Sequence, residues 1–155
     1  MAKVKAGDKA PDFSLPSNTG VTVRLSQFLG KKNIVIFFYP MDDSPVCSKE
    51  AEAFRDKYEE FKQLNTEVMG ISSQGIESHK SFATRHSLPF VLLSDNGNSV
   101  RKLYGVSTTF SAVPGRVTYI IDKEGIVKFV FSSQLRPAKH ADEALRVVKE
   151  ISSQK

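Results

Sequence analysis

The chain has 155 residues, one cysteine, 22 Lys and Arg against 17 Asp and Glu, and a formal net charge of +5. That is the length of a single domain, 1–155, with enough chain for a substantial core. A lone cysteine excludes an internal structural disulfide, no apolar run approaches a membrane span, and the first residues lack the apolar run of a secretory signal. These features read as a soluble protein of a reducing compartment, either bacterial cytoplasm or, if a transit peptide has been removed, plastid stroma. The basic residues are scattered, and no run exceeds a pair such as Lys31-Lys32. This describes a solvated surface rather than a nucleic-acid-binding stripe.

In chain order, Phe13 to Leu25 alternates apolar and polar residues around Asn18-Thr19-Gly20, which predicts a β-hairpin followed by a short helix, Ser26 to Leu29, closed by Gly30. Ile34 to Tyr39 is a continuous apolar run of the kind that forms a strand covered on both faces. A helix is expected from Pro45 to about Leu64 and a second strand from Glu67 to Ser72, which together make a βαβ unit with a right-handed crossover. A helix from Ile76 to His86, a strand from Phe90 to Leu93 and a helical turn near Asn98 to Tyr104 follow. The loop from Gly105 to Gly115 then offers Ser107 to Val113, with Phe110, as an apolar collar. Val117 to Asp122 and Ile126 to Phe131 flank Asp122-Lys123-Glu124-Gly125 as an antiparallel hairpin, and Ala138 to Ile151 has helical periodicity. A parallel βαβ half followed by a hairpin and a helix gives an α/β, thioredoxin-like fold: a central mixed β-sheet flanked by helices, with an N-terminal β-hairpin extension.

The chemistry-bearing stretch is the start of the helix at Pro45. Ser44 suits the N-cap and Pro45 the first helical position, so Cys47 becomes the third helical residue, among backbone N–H groups without helical partners. Those donors and the positive end of the helix dipole favour a thiolate, the nucleophilic form of cysteine. From Cys47, the residues Ala51, Phe54, Tyr58 and Phe61 continue one apolar stripe, so the sulfur faces the core and admits a compact reactant more readily than a bulky one. A lone cysteine without such a setting is usually an inert small hydrophobe. Asp42 and Asp43 are expected to face solvent or backbone donors, since inward carboxylates would oppose a thiolate. His79, His86 and His140 lack metal-ligand spacing and are expected on the surface, so no metal is assigned.

Pro40-x-x-x-Ser44-x-x-Cys47 resembles the peroxiredoxin signature Pro-x-x-x-Thr/Ser-x-x-Cys. Phe38-Tyr39-Pro40, Lys49-Glu50-Ala51, Phe54-Arg55-Asp56, Gly70-Ile71-Ser72, Leu92-Leu93-Ser94-Asp95 and Pro114-Gly115-Arg116 extend the likeness to the peroxiredoxin Q, or bacterioferritin comigratory protein, branch through nearly the whole chain. The resemblance implies a thiol-dependent peroxidase for hydrogen peroxide and organic hydroperoxides. In it Cys47 is the nucleophile that becomes a sulfenic acid, Ser44 the hydroxyl that binds thiolate and peroxide, and Arg116 the cation that supports the sulfur and polarises the peroxide. Pro40 shields the pocket from water, and Glu50 orients the arginine. No cofactor is implied.

Many members of that branch carry a resolving cysteine five residues after the first, where this chain has Glu52. The resemblance is therefore to a one-cysteine type, whose sulfenic acid is reduced by an external thiol: thioredoxin, glutaredoxin, a small thiol or a second copy's Cys47. The implied assembly is a monomer or weak homodimer without nucleic-acid or membrane partners. The alternative from another class is a redox-sensing module that forms mixed disulfides with little turnover.

Overall fold

The computed structural model describes residues 4–106, 116–133 and 136–153. Its centre is β3 (Asn33–Phe38), all six residues of which are buried. β3 runs parallel to β4 (Thr66–Ser72) and antiparallel to β6 (Val117–Ile121). With β5 (Val91–Ser94) outside β4 and β7 (Val127–Ser132) outside β6, the sheet order is β5-β4-β3-β6-β7. This is the mixed sheet of a thioredoxin-like fold, and the N-terminal hairpin is present as a separate ribbon, β1 (Ser14–Pro16) with β2 (Thr22–Arg24). A 3₁₀ turn at Leu25–Phe28 follows it.

Helices cover the sheet. α1 (Pro45–Asp56) and α2 (Tyr58–Gln63) follow β3, α3 (Ile76–His86) follows β4, α4 (Ser99–Tyr104) follows β5, and α5 (Pro137–Ser153) ends the described chain. One core layer, on the side of Ile34, Ile36 and Phe38, packs against the hairpin and α4. The other, on the side of Val35 and Phe37, packs against α1, α2, α3 and α5. Successive β3 residues alternate between these layers, as strand geometry requires.

α1 is held to the sheet by aromatic packing. Phe37 stacks on Phe54 with ring centroids 4.5 Å apart and planes 10° from parallel. That stack depends on Gly70 of β4, where an added Cβ would stand 2.8 Å from the Phe37 ring. The single helix expected from Pro45 to Leu64 is two helices meeting at Lys57, whose φ of −106° and ψ of 3° leave the α region. Its N–H turns to Phe54 and Arg55 carbonyls, and Phe54 and Phe61, on either side of the break, are both fully buried. The other expected elements lie within a few residues of their observed bounds; the helical turn expected near Asn98 to Tyr104 is α4, preceded by a 3₁₀ turn, Asn96–Asn98, and entered through left-handed Asn98. The collar expected at Ser107 to Val113 lies outside the described residues, as do Pro114 and Gly115. Among the described residues, no helix is long and apolar enough to cross a membrane.

Candidate active site

β3 ends at Phe38, and the loop 39–44 turns the chain into α1. Asp43 takes a left-handed φ of 67° within this turn. Ser44 caps α1 as expected: its Oγ accepts a hydrogen bond from the Cys47 N–H at 3.2 Å, and its own proton remains able to donate. Pro45 is the first helical residue, so Cys47 sits in the first turn, 1 % exposed. Pro40 is half-buried, and its carbonyl accepts from the Ser72 hydroxyl at 3.3 Å.

Arg116 reaches this helix from the chain just before β6. Because β6 pairs antiparallel with β3, with Val117 opposite Phe38, its first residues lie beside the end of β3. The guanidinium is 4 % exposed; Nη2 donates to Cys47 Sγ at 3.3 Å and Nη1 to Glu50 Oε1 at 2.5 Å. Burial works against the charge on Arg116, but Glu50 and Cys47 outweigh it and the pKa is raised. The structure thus brings Cys47, Arg116 and Glu50 into direct contact, with Ser44 and Pro40 on the loop alongside.

Glu50 is fully buried, one turn after Cys47. Burial pushes its carboxyl up to about 8, against the pull of Arg116. Among the described residues, its Oε2 and the Nε of Arg116 are buried without hydrogen-bond partners.

Two expectations for this region are corrected. Asp42 faces inward, not toward solvent: it is 7 % exposed and accepts from Tyr39 Oη, Ser78 Oγ and His79 Nδ1, each at 2.7 Å. Burial alone would raise its pKa, but these donors lower it. Asp43 does face solvent, where it pairs with Arg85. His79 and His140 are fully buried rather than on the surface, because both nitrogens of each ring have protein partners; His86 is half-buried, with Nδ1 2.9 Å from Glu52 Oε2.

A second arginine was missed by the sequence reading. Arg101 of α4 is 2 % exposed, donates from Nη2 to the Tyr39 carbonyl at 2.9 Å and lies 5.7 Å from the centre of the Phe38 ring. Burial lowers its pKa to about 10, with Asp95 and Cys47 opposing that shift, so it stays charged at neutral pH. Arg101 and Tyr104 share one inward face at i and i+3, and that periodicity was the available signal.

The sulfur is therefore buried at the start of α1, with a guanidinium donor 3.3 Å from it and the N–H of its own residue bonded to the cap. A cavity of about 470 Å³ lined by Asn33, Asn65 and Asp122 lies at the other end of β3, remote from this chemistry.

A family model described as the AhpC/TSA family matches residues 6–130. The chain is 50 % identical over 152 residues to a chloroplastic peroxiredoxin Q of Sedum lineare, covering 97 % of this chain and 81 % of that one. It is 49 % identical over 150 residues to the chloroplastic peroxiredoxin Q of Arabidopsis thaliana, covering 96 % and 69 %. Among solved structures, peroxidoxin BcpB of Mycobacterium tuberculosis superposes with a TM-score of 0.89 at 36 % identity over 96 % of this chain and 98 % of that one. PrxQ of Xylella fastidiosa shares the fold with a TM-score of 0.90 at 24 % identity, covering 98 % and 99 %.

Proposed function

This chain belongs to the AhpC/TSA family, in its peroxiredoxin Q branch, and is a thiol-dependent peroxidase acting on a peroxide with a thiol reductant; from that premise we propose that Cys47 is its peroxidatic nucleophile and that Arg116, Ser44, Pro40 and Glu50 complete the site. The observation that carries this reading is the 3.3 Å bond from Arg116 Nη2 to Cys47 Sγ. A guanidinium cannot be deprotonated in a protein, so it supports negative charge on sulfur and on the oxygen that departs.

In the first half-reaction the thiolate attacks one peroxide oxygen. The O–O bond breaks, Cys47 becomes a sulfenic acid, and the leaving oxygen takes a proton to become water or an alcohol. Ser44 can turn its hydroxyl proton toward the peroxide while its oxygen keeps the Cys47 N–H. The half-buried Pro40 ring limits water at the mouth. In the second half-reaction an external thiol condenses with the sulfenic acid, releasing water and leaving a mixed disulfide; a second thiol then displaces Cys47 as a thiol. An internal disulfide needs a second cysteine, and these 155 residues hold one.

We further propose thioredoxin, glutaredoxin or a small thiol as reductant, hydrogen peroxide and small organic hydroperoxides as substrates, and a monomer or weak homodimer without nucleic-acid or membrane partners. The chloroplastic names of the relatives support a plastid stroma in preference to a bacterial cytoplasm. The test is peroxide consumption with separate thioredoxin, glutaredoxin and glutathione systems, with Cys47→Ser alongside. Turnover with at least one donor, lost in the variant, is the expected result; turnover that survives the substitution removes Cys47 from its role. Intact mass after one equivalent of peroxide identifies the oxidised species.

A further inference from the structure

Glu50 is the buried group whose surroundings the peroxidase chemistry leaves unexplained. Oε1 accepts from Arg116, but Oε2 has no hydrogen-bond donor, and 3.5 Å from it stands His140 Nδ1 of α5. The state of that ring follows from its partners. Nε2 is 2.8 Å from the Ser133 carbonyl, which can only accept, so Nε2 carries the proton of a neutral imidazole. Nδ1 is then a lone pair, and Thr118 Oγ1 donates to it at 2.8 Å. A second proton is opposed by burial and by Arg116, which leave the His140 pKa at about 4 despite the Ser133 bond.

A carboxylate Oε2 would therefore face an acceptor nitrogen in a dry interior, with no proton between them. The lone pair of that nitrogen is taken by the Thr118 hydroxyl, so the ring gives Oε2 no donor to offset the loss of water. The other titratable or charged groups acting here are Cys47 on the same helix, Tyr39 after β3, Arg116 before β6, and Arg101 of α4, which acts on Cys47 and Arg116. Arg116 alone among them donates a hydrogen bond to Glu50.

We propose that His140 is a positioning residue for the peroxidase reaction: by placing a nitrogen without a proton beside Glu50 Oε2 it denies that oxygen a donor and keeps the proton on Glu50, so that Arg116 turns its full charge on Cys47 instead of sharing it with a carboxylate. The elevated pKa of Glu50 acts in the same direction. In this arrangement a neutral Glu50 orients the guanidinium through Oε1 without neutralising it. The proposal rests on the assignment of Cys47 and Arg116 as the reacting pair, but its tests need no turnover.

Glu50→Gln is the neutral mimic, since its amide oxygen can accept from Arg116 and its NH₂ takes the place of the acid O–H. The infrared difference between parent and this variant should show a buried carboxylic-acid carbonyl band at pH 6–7 that fades above about pH 8. The ultraviolet titration of the Cys47 thiolate should keep its half-point, within a few tenths of a pH unit, in Glu50→Gln. His140→Gln, which brings an amide donor to Oε2, should move the loss of the carboxylic-acid band to lower pH by at least one unit. It should raise the thiolate half-point when Glu50 is present and leave it unmoved when Glu50 is Gln. Absence of the acid band at neutral pH overturns the proposal. So does a shift of a full unit in either direction in Glu50→Gln: downward means an ionised Glu50 was opposing the thiolate, upward that the carboxylate was supporting it. Should His140→Gln fail to fold, the Glu50→Gln measurements decide alone. A present acid band with no peroxide turnover would fail the functional reading and leave this one standing.

Discussion

Two buried carboxyls flank the sulfur, Asp42 five residues before it and Glu50 three after, and each has a buried histidine beside it, yet they are held in opposite states. Asp42 collects three side-chain donors, and burial cannot keep it protonated. Glu50 collects one, and burial prevails. The histidines differ for the same reason. His79 meets an acceptor at each nitrogen, the Leu93 carbonyl at Nε2 and Asp42 at Nδ1; His140 meets the Ser133 carbonyl at Nε2 and the Thr118 hydroxyl at Nδ1, and burial lowers its pKa to about 4. The state of a buried acid here is decided by the number of donors aimed at it, and sequence distance from Cys47 decides nothing.

The largest expected effect comes from breaking the ionised side. Asp42→Ala removes the carboxylate that Tyr39, Ser78 and His79 bond in a site where the Asp42 and His79 side chains are 1 % and 0 % exposed. Removing one partner of a buried pair costs about 3–5 kcal/mol. Urea denaturation should show a loss of that size, whereas Glu50→Gln, which keeps its donor and removes no charge from the folded protein at neutral pH, should show no such loss. Equal losses would erase the contrast. Next in size is Arg116→Ala, which removes the donor from the sulfur and the one donor on Glu50. Oxidation of Cys47 by peroxide, followed by stopped-flow, should slow by about 10²–10³, the cost of deleting one preorganised donor of this kind. An unchanged rate would take Arg116 out of the chemistry.

How much of this was legible in advance follows the same division. The Ser44-Pro45 start of α1, the apolar stripe from Cys47 and the buried run of β3 are local patterns, and they gave the helix mouth and the central strand. Arg116 rested on Pro114-Gly115-Arg116 matching a family, since nothing local says that a residue 69 positions away donates to the sulfur. The inward turn of Asp42 could not be read at all: its donors come from Tyr39 on the preceding strand end and Ser78 and His79 on α3, and only the folded chain brings them together. The break at Lys57 was hidden because Phe54 and Phe61 keep helical spacing across it.

The two carboxyls should also give the stability curve opposite slopes. Asp42 has a lowered folded-state pKa, so its contribution is present above its ordinary value of 3.8 and is lost as the pH falls through and below it. Glu50 has a folded-state value of about 8 against an ordinary 4.5, so its contribution is full below 4.5 and is lost as the pH rises toward 8, where only the unfolded chain has been ionised. His140 adds a rise from about 4 to 6.5, but the parent and Glu50→Gln share it, and it cancels in their difference. The stability of Glu50→Gln relative to the parent should therefore climb by a few kcal/mol between pH 4.5 and 8 and level off above. A flat difference in thermal melts across that window would mean that Glu50 ionises in the folded protein as readily as in the unfolded chain.

The smallest effect separates the helix mouth from both carboxyl clusters. Ser44→Ala deletes the cap that accepts the Cys47 N–H, and caps of this kind are worth about 1 kcal/mol. Because Asp42 keeps its three donors and Arg116 keeps the sulfur, neither cluster should respond, and the pH dependence of stability should run parallel to that of the parent. Activity should fall by more than the cap's contribution explains if the hydroxyl also donates to the peroxide, and Ser44→Thr, which retains the oxygen and restricts its rotamer, should restore both. Rescue of stability without rescue of rate would assign Ser44 to capping alone and leave the Cys47–Arg116 contact as the source of the rate.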